Sequence, residues 1–136
     1  MRLSKVWISF FRRRNKPMIT ALDHLQISIP KGRLDEALAF YVGLLGFTRV
    51  PKPAELMSTD GAWLTQASVN VHLGEQTDFA TDGHAHPAFC VSDLDTLAAA
   101  LRAAGMRLRF DDGPTGYKRA SVWDPFGNRI EMMQKL

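Results

Sequence analysis

Four side chains in this sequence could do chemistry together: His24, His72, His86 and Glu131. Glu131 follows a turn read from Asp124-Pro125 and Gly127-Asn128, in a run where Ile130 and Met132 alternate with Arg129, Glu131 and Met133. That alternation is the mark of a half-buried strand leaving a tight turn. A carboxylate in mid-strand is costly unless it meets water, a cation or a metal. The three histidines sit in strand-like runs of the same kind, so the expectation is that all four share one face and bind a divalent metal. Imidazoles with a carboxylate suit Zn, Ni, Fe(II), Mn or Co, and two histidines with one carboxylate is a set used by Fe(II) oxygenases. Glu131 and His72 are also the candidates for moving a proton.

The elements that must position them follow from the alternation of apolar residues. Leu22 to Pro30 reads as a strand with Leu25, Ile27 and Ile29 opposite His24, Gln26 and Ser28. Leu34 to Leu45 reads as a helix through Leu34, Leu38, Tyr41 and Leu45, ended by Gly46. Strands follow at 47–50, 61–66 and 68–73. The order then repeats: a strand over 86–91, a helix through 97–104 capped by Asp93 or Asp95 and closed by Gly105, and strands at 106–110, 117–123 and 129–134. His72 lies 48 residues after His24 and Glu131 lies 45 after His86. Two copies of a βαβββ unit are the simplest account, with module 1 at about 19–74, a polar linker at 75–83 and module 2 at about 84–134. Each module then offers one candidate ligand from its first strand and one from its last.

The same parity argument nominates residues to hold a substrate. Tyr117, Arg119, Ser121 and Trp123 oppose Lys118, Ala120 and Val122. On the cup side, Arg119 could hold an anionic group while Tyr117 or Trp123 stacks on the ligand. Gln26, Trp63 and Asn70 are further substrate-binding candidates. Arg119 or Arg129 could equally serve as an ion-pair partner for Glu131. Cys90 is expected to be a small buried hydrophobe, and His84 a solvated linker residue.

The chain of 136 residues is one domain, with 46% hydrophobic and 23% charged residues. A single cysteine excludes an internal disulfide, so the cytoplasm is the expected compartment. The net charge of +3 is concentrated: residues 1–17 hold Arg2, Lys5, Arg12, Arg13, Arg14 and Lys16 with no acid, and the remainder carries 11 basic against 14 acidic residues. Nothing there suggests a nucleic-acid groove. The apolar run Val6 to Phe11 is too short to span a bilayer, and residues 1–17 read as a basic, aromatic extension ahead of a single domain over 18–136.

Asp23 to Pro30, Phe40-Tyr41 with Leu44 to Phe47, Val71 to Gly74, His86 to Phe89 with Val91 to Asp95, and Asp124 to Glu131 together resemble the vicinal oxygen chelate superfamily of glyoxalase I, bleomycin-resistance proteins, fosfomycin-resistance enzymes and extradiol dioxygenases. The resemblance implies an α+β fold: two βαβββ modules pairing into a curved mixed sheet around a cup, with helices on the outer face. It implies metal ligands at His24, His72, His86 and Glu131, and pairing of two chains. The activity it implies is a metal-dependent lyase or isomerase reaction on a small vicinally oxygenated substrate. The alternative is metal-free sequestration of a small molecule, with an Fe(II) dioxygenase as the third choice. Glyoxalase I commonly has an acid or amide where His72 stands, which argues against lactoylglutathione chemistry.

Overall fold

The computed structural model describes residues 16–57 and 59–136. The expectations for residues 1–15 of the extension therefore lie outside the described residues. Among the described residues, eight strands and two α-helices follow in the order β1 (Leu25–Pro30), α1 (Leu34–Leu38), β2 (Thr48–Val50), β3 (Ala62–Gln66), β4 (Val69–Gln76), β5 (Ala88–Cys90), α2 (Leu94–Ala103), β6 (Leu108–Asp111), β7 (Tyr117–Trp123) and β8 (Arg129–Lys135). This is an α+β fold of two βαβββ modules. Each module forms an open, mixed four-stranded sheet, ordered β1-β4-β3-β2 and β5-β8-β7-β6. In both, the first strand runs parallel to the last and the remaining pairs are antiparallel.

The apolar half of each alternation makes the core. Ile27, Ile29, Leu64, Val71 and Leu73 from one sheet, and Phe89, Ala120, Val122, Ile130 and Met132 from the other, join a single buried cluster with Tyr41, Phe40, Leu94 and Leu101 of the helical segments. The polar half of each alternation therefore lies on the far side of its sheet from that core. Lys118 confirms the assignment, because it reaches Asp95 of α2 on the helix-bearing side while its neighbours Tyr117 and Arg119 point the other way.

The first helix departs from the expected regular course. After Leu38 it widens into a π-helix over Ala39–Leu44, with Leu45 N–H donating to Phe40 O. The wider turn buries both Phe40 and Tyr41, and Tyr41 OH donates to Asp124 Oδ2 at 2.8 Å. Asp124, only 5% exposed, also accepts from the N–H groups of Phe126 and Asn128 and from Asn128 Nδ2. Asn128 Nδ2 in turn reaches Ser28 O at 2.9 Å. A buried carboxylate satisfied this fully is a lock, and it fixes the turn that launches β8 against an element of the other module. Gly61 is needed for a close approach: its φ is +95°, and a Cβ there would sit 1.9 Å from Leu73 O.

Candidate functional site

On the polar face of the first sheet, β1, β3 and β4 place Gln26, Trp63 and His72 in one row, since Gln26 pairs with His72 and His72 with Trp63 across the ladders. His24 stands one residue ahead of β1, although the alternation had placed it inside a strand from Leu22 to Pro30. Its ring stacks on His72 at 3.9 Å and 16°, and His72 stacks on Trp63 at 4.1 Å and 4°, so His72 is the middle layer of three flat rings. His24 Nδ1 lies 2.7 Å from Asp23 Oδ2, an arrangement that leaves Nε2 facing outward for a ligand. Asn70 Nδ2 donates to Asp23 O and its Oδ1 accepts from Thr65, so it fixes the segment carrying His24. Gln26 lies across Gly74, whose Cβ would come within 2.4 Å of its amide. The surrounding recess, about 560 Å³, also holds Lys52, Asp60 and Glu75. Proton uptake by His72 is held below the ordinary imidazole range, by burial first and by the neighbouring His24 next.

The second sheet carries the other pair. His86 precedes β5 by two residues, and Glu131 sits on β8 opposite Ala88 and Ser121. His86 Nδ1 donates to His84 O at 2.6 Å, which turns Nε2 toward Glu131 Oε2 at 3.0 Å. Both side chains are partly covered, at 24% and 16% exposure. Arg119 Nη1 stands 3.5 Å from Glu131 Oε1, and its Nη2 donates to Asp112 O. Arg129 pairs with His86 instead of Glu131, its Nη2 lying 3.0 Å from both ring nitrogens. Tyr117, Arg119, Ser121 and Trp123 do share this face, because Ala120 and Val122 between them are fully buried. Trp123 is covered by the guanidinium of Arg107 at 3.8 Å.

Thus the four candidate ligands form two pairs, His24 with His72 and His86 with Glu131, and no group of three or more metal-binding side chains forms among the described residues. Convergence within one chain was the expectation, and the topology explains the difference: the first and last strands of each module are neighbours within their own sheet, so each pair of candidates forms there and not across the two sheets. Cys90 corrects a second expectation, since it is exposed on the polar side while Phe89 takes the core position. Arg107 is the residue that sequence reasoning passed over as part of this face, and Arg129 was considered there only as an ion-pair partner for Glu131. The signal for Arg129 was its parity with Glu131, two residues along the same strand.

A profile of the glyoxalase/bleomycin resistance protein/dioxygenase superfamily matches residues 21–132. The chain belongs to this superfamily. A crystal structure of a glyoxalase-family protein from Bacillus anthracis is 36% identical, with a TM-score of 0.83 over 89% of this chain and 99% of that one. The fosfomycin resistance protein FosX of Listeria monocytogenes superposes with a TM-score of 0.72 at 15% identity, covering 88% of this chain and 96% of its own. TnmS3, an antibiotic-binding protein from Streptomyces, does so at 0.66 and 22% identity, covering 89% and 100%. The last two share the superfamily fold with this chain. No curated protein matches it. Among the described residues, no helix of this glyoxalase-superfamily chain is long and apolar enough to cross a membrane.

Proposed function

We propose that the chain is a divalent-metal-dependent enzyme of the lyase or isomerase type, acting on a small vicinally oxygenated molecule. Its ligand set would be His24, His86 and Glu131, completed between two copies of the chain. The observation that carries this reading is the division of the donors into two oriented pairs on polar sheet faces. Each pair is incomplete alone, and two imidazoles with one carboxylate is a set that such metals accept. Stacked, nearly parallel imidazoles direct their lone pairs side by side rather than toward one point, so His24 and His72 do not both fit one coordination sphere as they stand. His24, with its Nδ1 held by Asp23, is the better donor. Charge favours pairing the unlike faces: Asp23, Asp60 and Glu75 surround the first pair with Lys52, whereas Arg107, Arg109, Arg119 and Arg129 surround the second.

When bound, the metal would act as a Lewis acid on two adjacent substrate oxygens. His72, kept neutral at pH 7 by burial and by His24, is placed to accept a proton from the substrate at a ring nitrogen, while Trp63 holds its ring flat. Arg119, with Tyr117 and Trp123 beside it, would hold the substrate from the opposite face. Gln26, spanning Gly74, would cover the near wall, and Asn70 would act indirectly by holding Asp23.

Elemental analysis of protein purified from metal-replete cultures should find about one metal per chain, bound tightly enough to raise the melting temperature. Glu131→Ala should lose both metal and turnover on a panel of dicarbonyls, epoxides and acyl thioesters. A Glu131→Ala protein as metal-loaded and as active as wild type would falsify the reading. Metal-free sequestration is the second reading, favoured by the way Glu131 is already satisfied by His86 and Arg119. A chain that takes up no metal but binds a small molecule belongs to it, in keeping with a neighbour named for antibiotic binding.

A further inference from the structure

We infer that the apolar run within residues 3–11 docks in a groove at the seam of the two modules and straps one module to the other.

The groove has a volume of about 410 Å³ and lies apart from the candidate ligands. Leu45, Phe47 and Val69 of the first module line it together with Phe89, Leu97 and Met132 of the second. The rings of Phe47 and Phe89 meet edge to face across the seam, with centroids 5.9 Å apart. Of the residues that line the groove, Asp93 alone carries a charge. An oxygen-rich molecule would find few partners there, whereas large apolar side chains would gain by leaving water.

The chain itself supplies such side chains. Leu3, Val6, Trp7, Phe10 and Phe11 recur in the sequence at i, i+3, i+4, i+7 and i+8, the spacing that gathers apolar residues on one helix face. An apolar stripe of this kind is what a hydrophobic groove accepts. Arg12, Arg13 and Arg14 follow it directly and complement Asp93.

The point where the chain enters the fold is beside the groove. Asn70 Nδ2 donates to Asp23 O at 3.2 Å, and Val69, the next residue to Asn70, is part of the groove lining. Carrying the pairing of Leu25 with Val71 back by two residues also sets Asp23 level with Val69. Twelve residues separate Phe11 from Asp23, enough to reach about 40 Å when extended, so the run can return to the groove of its own chain. So short a tether keeps its local concentration high. Between the two, Met18, Ile19 and Leu22 are all exposed, three large apolar side chains within five residues. Uncovered apolar surface of that density marks a contact site, and a segment folding back from Asp23 to the seam would pass over it.

Cys90 is a built-in reporter, because it is the only cysteine, is exposed and lines the groove. A docked segment should shield its thiol from iodoacetamide. The full-length chain is compared with a full-length variant in which Val6, Trp7, Phe10 and Phe11 are all changed to Ser, substitutions that lie outside both modules. Alkylation of the wild type should be slower by about tenfold or more, because it must await release of the segment, and its rate should not depend on protein concentration. Trp7 emission, read as the difference between wild type and Trp7→Phe, should be blue-shifted and protected from acrylamide. Equal alkylation rates in the two chains would overturn the inference. Protection that fades on dilution would also overturn it, by placing the segment of a second copy in the groove. So would a Trp7 that becomes shielded only with anionic phospholipid vesicles while Cys90 stays reactive, which is the behaviour of a membrane-surface anchor.

Discussion

His72 is held between two flat neighbours, and its surroundings act on its proton in opposing directions. Burial lowers its affinity for the proton most, His24 at 3.9 Å lowers it further, Asp23 pulls it up, and Lys52 lowers it slightly. The net effect is a folded-state midpoint below the ordinary value of 6.5. Because the unfolded chain takes this proton more readily than the folded one, stability is lost as pH falls from that ordinary value through the folded midpoint. NMR titration of the imidazole C–H resonances should find the His72 midpoint below 6.5, and His24→Gln should move it upward by removing the neighbouring imidazole that lowers it. A midpoint at or above the ordinary value would show that the stack does not desolvate the ring. The sequence placed His72 on the correct face through its alternation with Val71 and Leu73. It carried no sign of the stack, which depends on the ladder bringing Trp63 beside His72 from a different strand.

At the scale of elements, the turn 124–128 carries the site because it sets where β8 begins, and with it Arg129 and Glu131. Tyr41 reaches this turn from the first module's π-helix, so Tyr41→Phe tests whether the lock holds. Removing one donor from a buried carboxylate should cost about 1–3 kcal/mol of stability by denaturant titration, and the loss should leave the fold intact because three other donors remain on Asp124. A change within error would mean that Asp124 does not depend on the first module. Strand β7 was legible to the residue, since Ala120 and Val122 alternate without interruption against polar neighbours. The π-helix was not: Leu34, Leu38, Tyr41 and Leu45 fit a regular helix, and the adjacent burial of Phe40 and Tyr41 in the widened turn leaves no mark on that spacing. Helix α2 began three residues before the apolar run suggested, because Asp93 caps it by accepting from Thr96 N–H and its apolar stripe opens with Leu94. His24 and His86 fell outside their strands because side-chain alternation continues past the last ladder hydrogen bond.

Alternation also reports which side of its own sheet a residue takes, but not which way two sheets face. That is why the face taken by each of the four candidates was legible in the sequence and their division into pairs was not. In the whole molecule, one core serves both modules, and each sheet carries one pair of the candidate ligands. If two chains complete the sites, an acidic first face of one copy meets the basic second face of the other, and each pair of chains holds two equivalent sites. Chains lacking His24 and chains lacking His86 would then each form dead homodimers. Mixed and allowed to exchange, they should form heterodimers in which one site has lost both ligands and the other has kept its full set. Activity and metal content should therefore recover to about a quarter of the wild-type value at equal mixing, since half the dimers are mixed and each holds one intact site. Sedimentation velocity on the same samples should give a dimer, and neither variant should weaken its association. If the mixture stays as inactive as its parts while dimers exchange freely, the ligand set is not shared between chains, and the two pairs must meet instead by a rearrangement of the modules within one.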